Sequence, residues 1–146
     1  MVTTKIIHIC DVCKDDSFKT YDEAEEHEQL PIIEGDYEGK VANCSFSHIN
    51  WYGFIKKTDS VSKLNHERNY EFVLIYKYKI DSPDRGIIPT DSEQASITEI
   101  KNYLISGKCS PLTKKQLEKV NEFYKTHLFD DSRFPKPKSE NGFESI

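Results

Sequence analysis

Cys10 and Cys13, two residues apart and followed by Phe18, Ala24 and His27, constrain this chain more than any other feature. Zinc favours soft or borderline donors at the corners of a tetrahedron, and a tight Cys-x-x-Cys loop with imidazole from a following helix meets that demand. The neighbouring residues suit such a loop. Ile7-His8-Ile9 reads as a β-like run that turns at the cysteines, Lys14-Asp15-Asp16-Ser17 is a polar turn, and Phe18 returns the chain as a second short strand. Thr20-Tyr21-Asp22-Glu23 has the form of a capping box, with Thr20 as N-cap and Glu23 three residues on. The helix it opens, expected from Tyr21 to Leu30, carries Ala24 and His27 on one face, because residues three apart lie one turn from each other.

In this register residues 7–30 resemble a ββα zinc finger of the two-cysteine, two-histidine type. Cys10, Cys13 and His27 fall on ligand positions, Phe18 on the core aromatic, and Ala24 where the family prefers leucine. The resemblance implies a bound zinc ion. It departs from the family in two places: the spacing from knuckle to Phe18 is longer by a residue, and the window for a second histidine holds Pro31, Ile32 and Ile33. A structural zinc site is four-coordinate, so the fourth ligand is expected from the next segment. Cys44 and His48 are the nearest candidates, while His8, His66 and Cys109 are less economical. Two other readings of the cysteine pair stay open, a redox disulfide and plain thiols. A thioredoxin-type pair opens a helix after a strand, whereas Cys13 is followed by a polar turn. Four cysteines without a secretory pattern also argue against a disulfide framework.

The charge pattern argues against a DNA reader. Between Thr20 and Glu38 stand Asp22, Glu23, Glu25, Glu26, Glu28, Glu34, Asp36 and Glu38, with no lysine or arginine. Neutralisation of phosphates supplies most non-specific affinity for nucleic acid, and this stretch would be repelled by them. A single finger also reads only about three base pairs. The helix is therefore structural, or a surface that meets a basic protein.

Beyond the connector punctuated by Pro31, Gly35 and Gly39, residues 40–46 and 49–57 read as strands, and 58–69 as a polar excursion. Tyr70 to Ile80 is the clearest strand, with Tyr70, Phe72, Leu74, Tyr76, Tyr78 and Ile80 on one face and Glu71, Lys77 and Lys79 on the other. Val73 and Ile75 interrupt the polar face, so its centre is expected to be covered on both sides. Ser96-Ile97-Thr98-Glu99 begins a helix that stops at Gly107. A second helix starts at Ser110 or at Thr113 with Gln116, and carries Leu117, Val120, Tyr124 and Leu128 inward. The expected class is α+β: a zinc-finger-like unit over 1–34, a mainly antiparallel sheet with two C-terminal helices over 35–130, and a tail over 131–146 that Phe134 or Phe143 could anchor.

With 146 residues, a net charge of −5 and no apolar run near the roughly 18 residues a membrane span needs, the chain reads as cytoplasmic, with no membrane partner. No GxSxG, Walker, HExxH or HNH-like spacing supports catalysis. Three functional classes follow. The first is a zinc-stabilised protein-interaction module, an adaptor, inhibitor or antidote of the kind phages and mobile elements encode. The second is a nucleic-acid-associated regulator using Lys101, Lys108, Lys114, Lys115, Lys119 and Lys125. The third is an enzyme with an unfamiliar site at His48 and His66. Trp51-Tyr52-Gly53-Phe54 beside Lys56 and Lys57 is either a base-stacking platform or, more economically, core.

Overall fold

A strand that is apolar on both faces needs cover on both sides, and this requirement organises the molecule. The computed structural model describes residues 2–46, 49–76 and 92–146. Its elements run α1 (Tyr21–Glu28), β1 (Lys40–Phe46), β2 (Ile49–Val61), β3 (Arg68–Tyr76), β4 (Glu93–Ser96), α2 (Ile97–Ser106), β5 (Cys109–Ser110), α3 (Lys114–Phe123) and β6 (Glu144–Ser145). A π-type turn over Tyr124–Leu128 continues α3. The strands form one sheet in the order β4-β3-β2-β1-β5, and β6 also pairs with β1. Every pairing is antiparallel except that of β6 with β1. The α+β class and the mainly antiparallel sheet are therefore as expected.

The alternation in β3 divides the core. Tyr70, Phe72 and Leu74 join Ala42, Cys44, Trp51 and Ile55 on the face covered by Ile97 and Ile100 of α2. Val73 and Ile75 join Val41, Tyr52 and Phe54 on the face covered by Val120 and Phe123 of α3. Both faces of β3 are thus buried at its centre. The rings of the 51–54 run are core: Trp51, Tyr52 and Phe54 are all buried and present no platform to a base. Phe134 and Phe143, only 2% exposed, fold the C-terminal segment onto the α3 side. Of the two possible starts of α3, Thr113 is the cap, with Gln116 completing a capping box. The expected strand beyond Tyr76, through Ile80, lies outside the described residues.

The N-terminal unit differs from expectation. No ββα arrangement forms, because α1 precedes every strand and the two short strands reduce to one antiparallel bridge between His8 and Phe18. The reason is local. The backbone of the cysteine turn bonds to itself, Lys14 N–H to the Cys10 carbonyl at 2.8 Å and Cys10 N–H to the Asp15 carbonyl at 2.9 Å. Too few residues remain on either side to build a ladder.

Candidate metal centre

Three separate segments converge on one buried point. The first is the Cys10–Cys13 knuckle, where Lys14 takes a left-handed conformation (φ 64°) to close the turn. Ser17 N–H bonds the Asp15 carboxylate at 3.0 Å. Hydrogen bonds from Ser17 hold the Asp15 carboxyl below its ordinary value. The second is α1, whose start is fixed by Thr20 accepting from Glu23 N–H. Its buried face carries Ala24 and His27, and Phe18 packs on the His27 ring with centroids 5.0 Å apart. The third is the loop joining β2 to β3. There Ser62 and Asn65 bond at 2.6 Å, His66 N–H reaches the Ser62 carbonyl, and His66 adopts a left-handed backbone (φ 57°).

The ligand atoms of Cys10, Cys13, His27 and His66 all lie within 4.8 Å of one another. Cys10 Sγ is 3.4 Å from His66 Nε2, and Cys13 Sγ is 3.5 Å from His27 Nε2. Zinc–sulfur bonds of about 2.3 Å and zinc–nitrogen bonds of about 2.0–2.1 Å, at a tetrahedral angle, put sulfur and nitrogen roughly 3.6 Å apart. The observed spacings fit that figure. The donor set fits chemically too, since two thiolates balance a divalent cation and leave no net charge in a buried site. His66 is fully buried, and its Nδ1 lies 2.9 Å from the Leu30 carbonyl. A carbonyl only accepts, so Nδ1 carries the proton and Nε2 turns its lone pair toward Cys10. This is the outer-partner arrangement that orients ligating histidines. Burial pushes the Cys13 thiol up, partly offset by the Asp15 backbone bond, so binding a cation here must displace protons.

The centre is stitched to the sheet from both sides. Ile33 N–H donates to the His66 carbonyl at 3.0 Å, and Arg68 N–H to the Ile33 carbonyl at 2.8 Å. Glu34 then bridges Arg68 and Lys57. The sequence-derived ligands Cys10, Cys13 and His27 are thus brought together, and among the described residues the fourth member is His66, not Cys44. Cys44 points into the α2-side core from the middle of β1, 3.2 Å from the Cys109 sulfur. Its place on β1 commits it to the sheet interior, so it closes no site with the knuckle. His48 lies outside the described residues. The weak sequence signal for His66 is its position after Asn65 in a polar loop between two strands, where a left-handed turn can aim a side chain back at the sheet's end.

α1 is acidic on its solvent side. Among the described residues, no lysine or arginine forms an ion pair with Asp22, Glu23, Glu25, Glu26 or Glu28, and the pairs that do form lie elsewhere. Two hollows flank it. One of about 410 Å³ is lined by Phe18, Glu23, Glu26, His27 and Leu30. The other, about 390 Å³, has Ile7, Ile9 and Tyr21 beside Glu25 and Glu28.

No protein-family model, curated protein or solved structure matches the chain. No helix among the described residues is long and apolar enough to cross a membrane.

Proposed function

We propose that the protein is a small protein-interaction module whose N-terminal unit is held by structural zinc at Cys10, Cys13, His27 and His66. One observation carries the reading: four soft or borderline donors enclose a buried point with sulfur–nitrogen spacings of 3.4 and 3.5 Å. Four protein ligands close the coordination shell, which is the mark of a structural zinc site as opposed to a catalytic one. Bound there, the ion supplies cross-linking, and the chain's own residues do the rest. The Leu30 carbonyl fixes the His66 tautomer, Phe18 shields the His27 ring, and the knuckle is tied to the loop between β2 and β3. The unit so held presents α1, whose uncompensated carboxylates next to exposed Ile7, Ile9 and Tyr21 suit a basic partner with apolar side chains.

Elemental analysis of the purified protein, with a thiol titration, tests the metal. One zinc per chain is expected. Cys10→Ser is expected to release it and to raise hydrogen exchange across residues 7–30 while β3 stays protected. Unchanged metal content in that variant refutes the centre. The interaction surface is tested separately. Glu25→Lys with Glu28→Lys is expected to abolish association with a basic protein partner while metal content holds. The exposed Lys101, Lys114, Lys115 and Lys125 favour a nucleic-acid-associated regulator as the second reading. Salt-sensitive binding to nucleic acid, lost on Lys114→Glu with Lys115→Glu, would decide for it.

A further inference from the structure

One more pair of side chains carries reactive chemistry, remote from the metal centre in the fold. Cys44 on β1 and Cys109 on β5 stand directly opposite each other in an antiparallel ladder. Ser45 N–H donates to the Lys108 carbonyl at 2.7 Å, which makes 44 and 109 a non-hydrogen-bonded pair, the closer of the two kinds. Such pairs hold their Cα atoms about 4.5 Å apart, within the roughly 4.4–6.8 Å that a disulfide spans. The two sulfurs are 3.2 Å apart, close enough for the two thiols to share a hydrogen bond. Gly53 on β2 makes the room, since a Cβ there would stand 2.9 Å from the Cys44 sulfur. The pair is asymmetric. Cys44 lines a hollow of about 210 Å³ together with Asn43, Ser45, Lys108 and Ser110, whereas Cys109 does not.

We propose that Cys44 and Cys109 are a peroxide-responsive dithiol that closes reversibly into a cross-strand disulfide, with Cys44 oxidised first and Cys109 resolving it. Hydrogen peroxide is small enough for the hollow. The Cys44 sulfur attacks one peroxide oxygen and the O–O bond breaks. A sulfenic acid forms on Cys44, and the thiol proton leaves in water. The Cys109 sulfur then attacks the sulfenic sulfur, the S–S bond forms and the S–O bond breaks. Hydroxide departs with the Cys109 proton as a second water. Two thiols lose two electrons and one peroxide gains them. A small thiol reductant reverses the reaction by exchange. The order follows from the hollow, which Cys44 lines and Cys109 does not; the two residues are otherwise buried alike, 2% and 1% exposed. The shared hydrogen bond and then burial hold the Cys44 thiol well above its usual range, so thiolate is scarce and the response is to sustained peroxide. The bond would pin β5, and with it the connection from α2 to α3, to β1.

The test is peptide mapping of the zinc-loaded, full-length protein after hydrogen peroxide, alkylation and trypsin. Trypsin places Cys10 and Cys13 in residues 6–14, Cys44 in 41–56 and Cys109 in 109–114, so the two pairs are read apart. A species joining 41–56 to 109–114, lost on adding reductant, is expected. In Cys109→Ser a sulfenic-acid-trapping dione is expected to label Cys44. In Cys44→Ser, Cys109 is expected to stay unlabelled. Peptides 41–56 and 109–114 left unlinked, with both thiols still alkylated after denaturation, overturn the proposal. Labelling of Cys109 in Cys44→Ser overturns the assigned order. Should either variant fail to fold, the wild-type map alone decides.

Discussion

Replacing His66 with alanine separates a metal centre from a merely well-packed histidine. Two things are lost at once. The Leu30 carbonyl, now accepting from His66 Nδ1 at 2.9 Å, is left without that partner. That bond is only part-buried and Leu30 is exposed, so its loss costs about 0.5–1.5 kcal/mol whether or not metal is present. An ion at the site also loses one of its four donors. Disturbing only an outer partner of a zinc ligand lowers affinity by about 10–100-fold. Removing a ligand should cost at least the upper figure, about 2.7 kcal/mol. At saturating zinc the N-terminal unit should therefore lose about 3–4 kcal/mol, and in chelator only about 0.5–1.5. Any cavity left by the ring weighs on both conditions and drops out of the difference. The assay is hydrogen exchange of residues 7–34 with and without chelator, alongside zinc content and competition against a chromophoric chelator. An equal loss in both conditions, with full zinc content, would show that His66 only fills space.

Three further outcomes follow from the same geometry. Gly53→Ala forces a Cβ to 2.9 Å from the Cys44 sulfur and 3.1 Å from the Phe72 ring. It should cost about 1–3 kcal/mol in urea unfolding, and unchanged stability would mean that β1 and β2 yield freely there. Phe143 packs edge-on against Phe54 and Tyr124, with centroids 4.9 and 4.6 Å away. Phe143→Ala should lose about 3–5 kcal/mol, and a loss near zero would return residues 131–146 to the status of a tail. Hydrogen bonds from Lys57 and Arg68 hold the Glu34 carboxyl below its ordinary value. With the folded value depressed, its stabilising contribution is present above the unfolded value of about 4.3 and is lost as pH falls through the folded one. Glu34→Gln should flatten that acid limb and converge with the wild type at the lowest pH. An acid limb of unchanged steepness in the variant would remove Glu34 as its cause.

Elements governed by neighbours in sequence were legible, and those governed by distant partners were not. The Thr20 and Ser96 caps are seen accepting from Glu23 and Glu99, and Gly107 ends α2 in a left-handed conformation (φ 77°). The apolar alternation in β3, with Val73 and Ile75 on its second face, announced a sheet covered on both sides. By contrast β5 and β6 are two residues each and carry no periodicity; their pairing with β1 is set by tertiary packing. β2 runs on to Val61, past the expected end at Lys57, because Thr58 and Asn69 bond across the hairpin at 2.8 Å. At the metal centre the local half, Cys10, Cys13 and His27, was readable from spacing. His66 was ranked only as a less economical ligand, since proximity in sequence favoured Cys44 and His48, and only the path of the β2–β3 hairpin returns that histidine to the knuckle.

The separation of 56 positions from Cys10 to His66 would set the moment at which an ion can be secured. Knuckle and α1 gather three donors early in synthesis. The last arrives only when β2 has met β3 and the turn between them has closed. With three donors a half-made polypeptide would exchange an ion with the surroundings; with all four a finished one would retain it. Tight retention would thus certify a completed hairpin, and a chain that stalled before that point would hold its first thirty residues with three donors only.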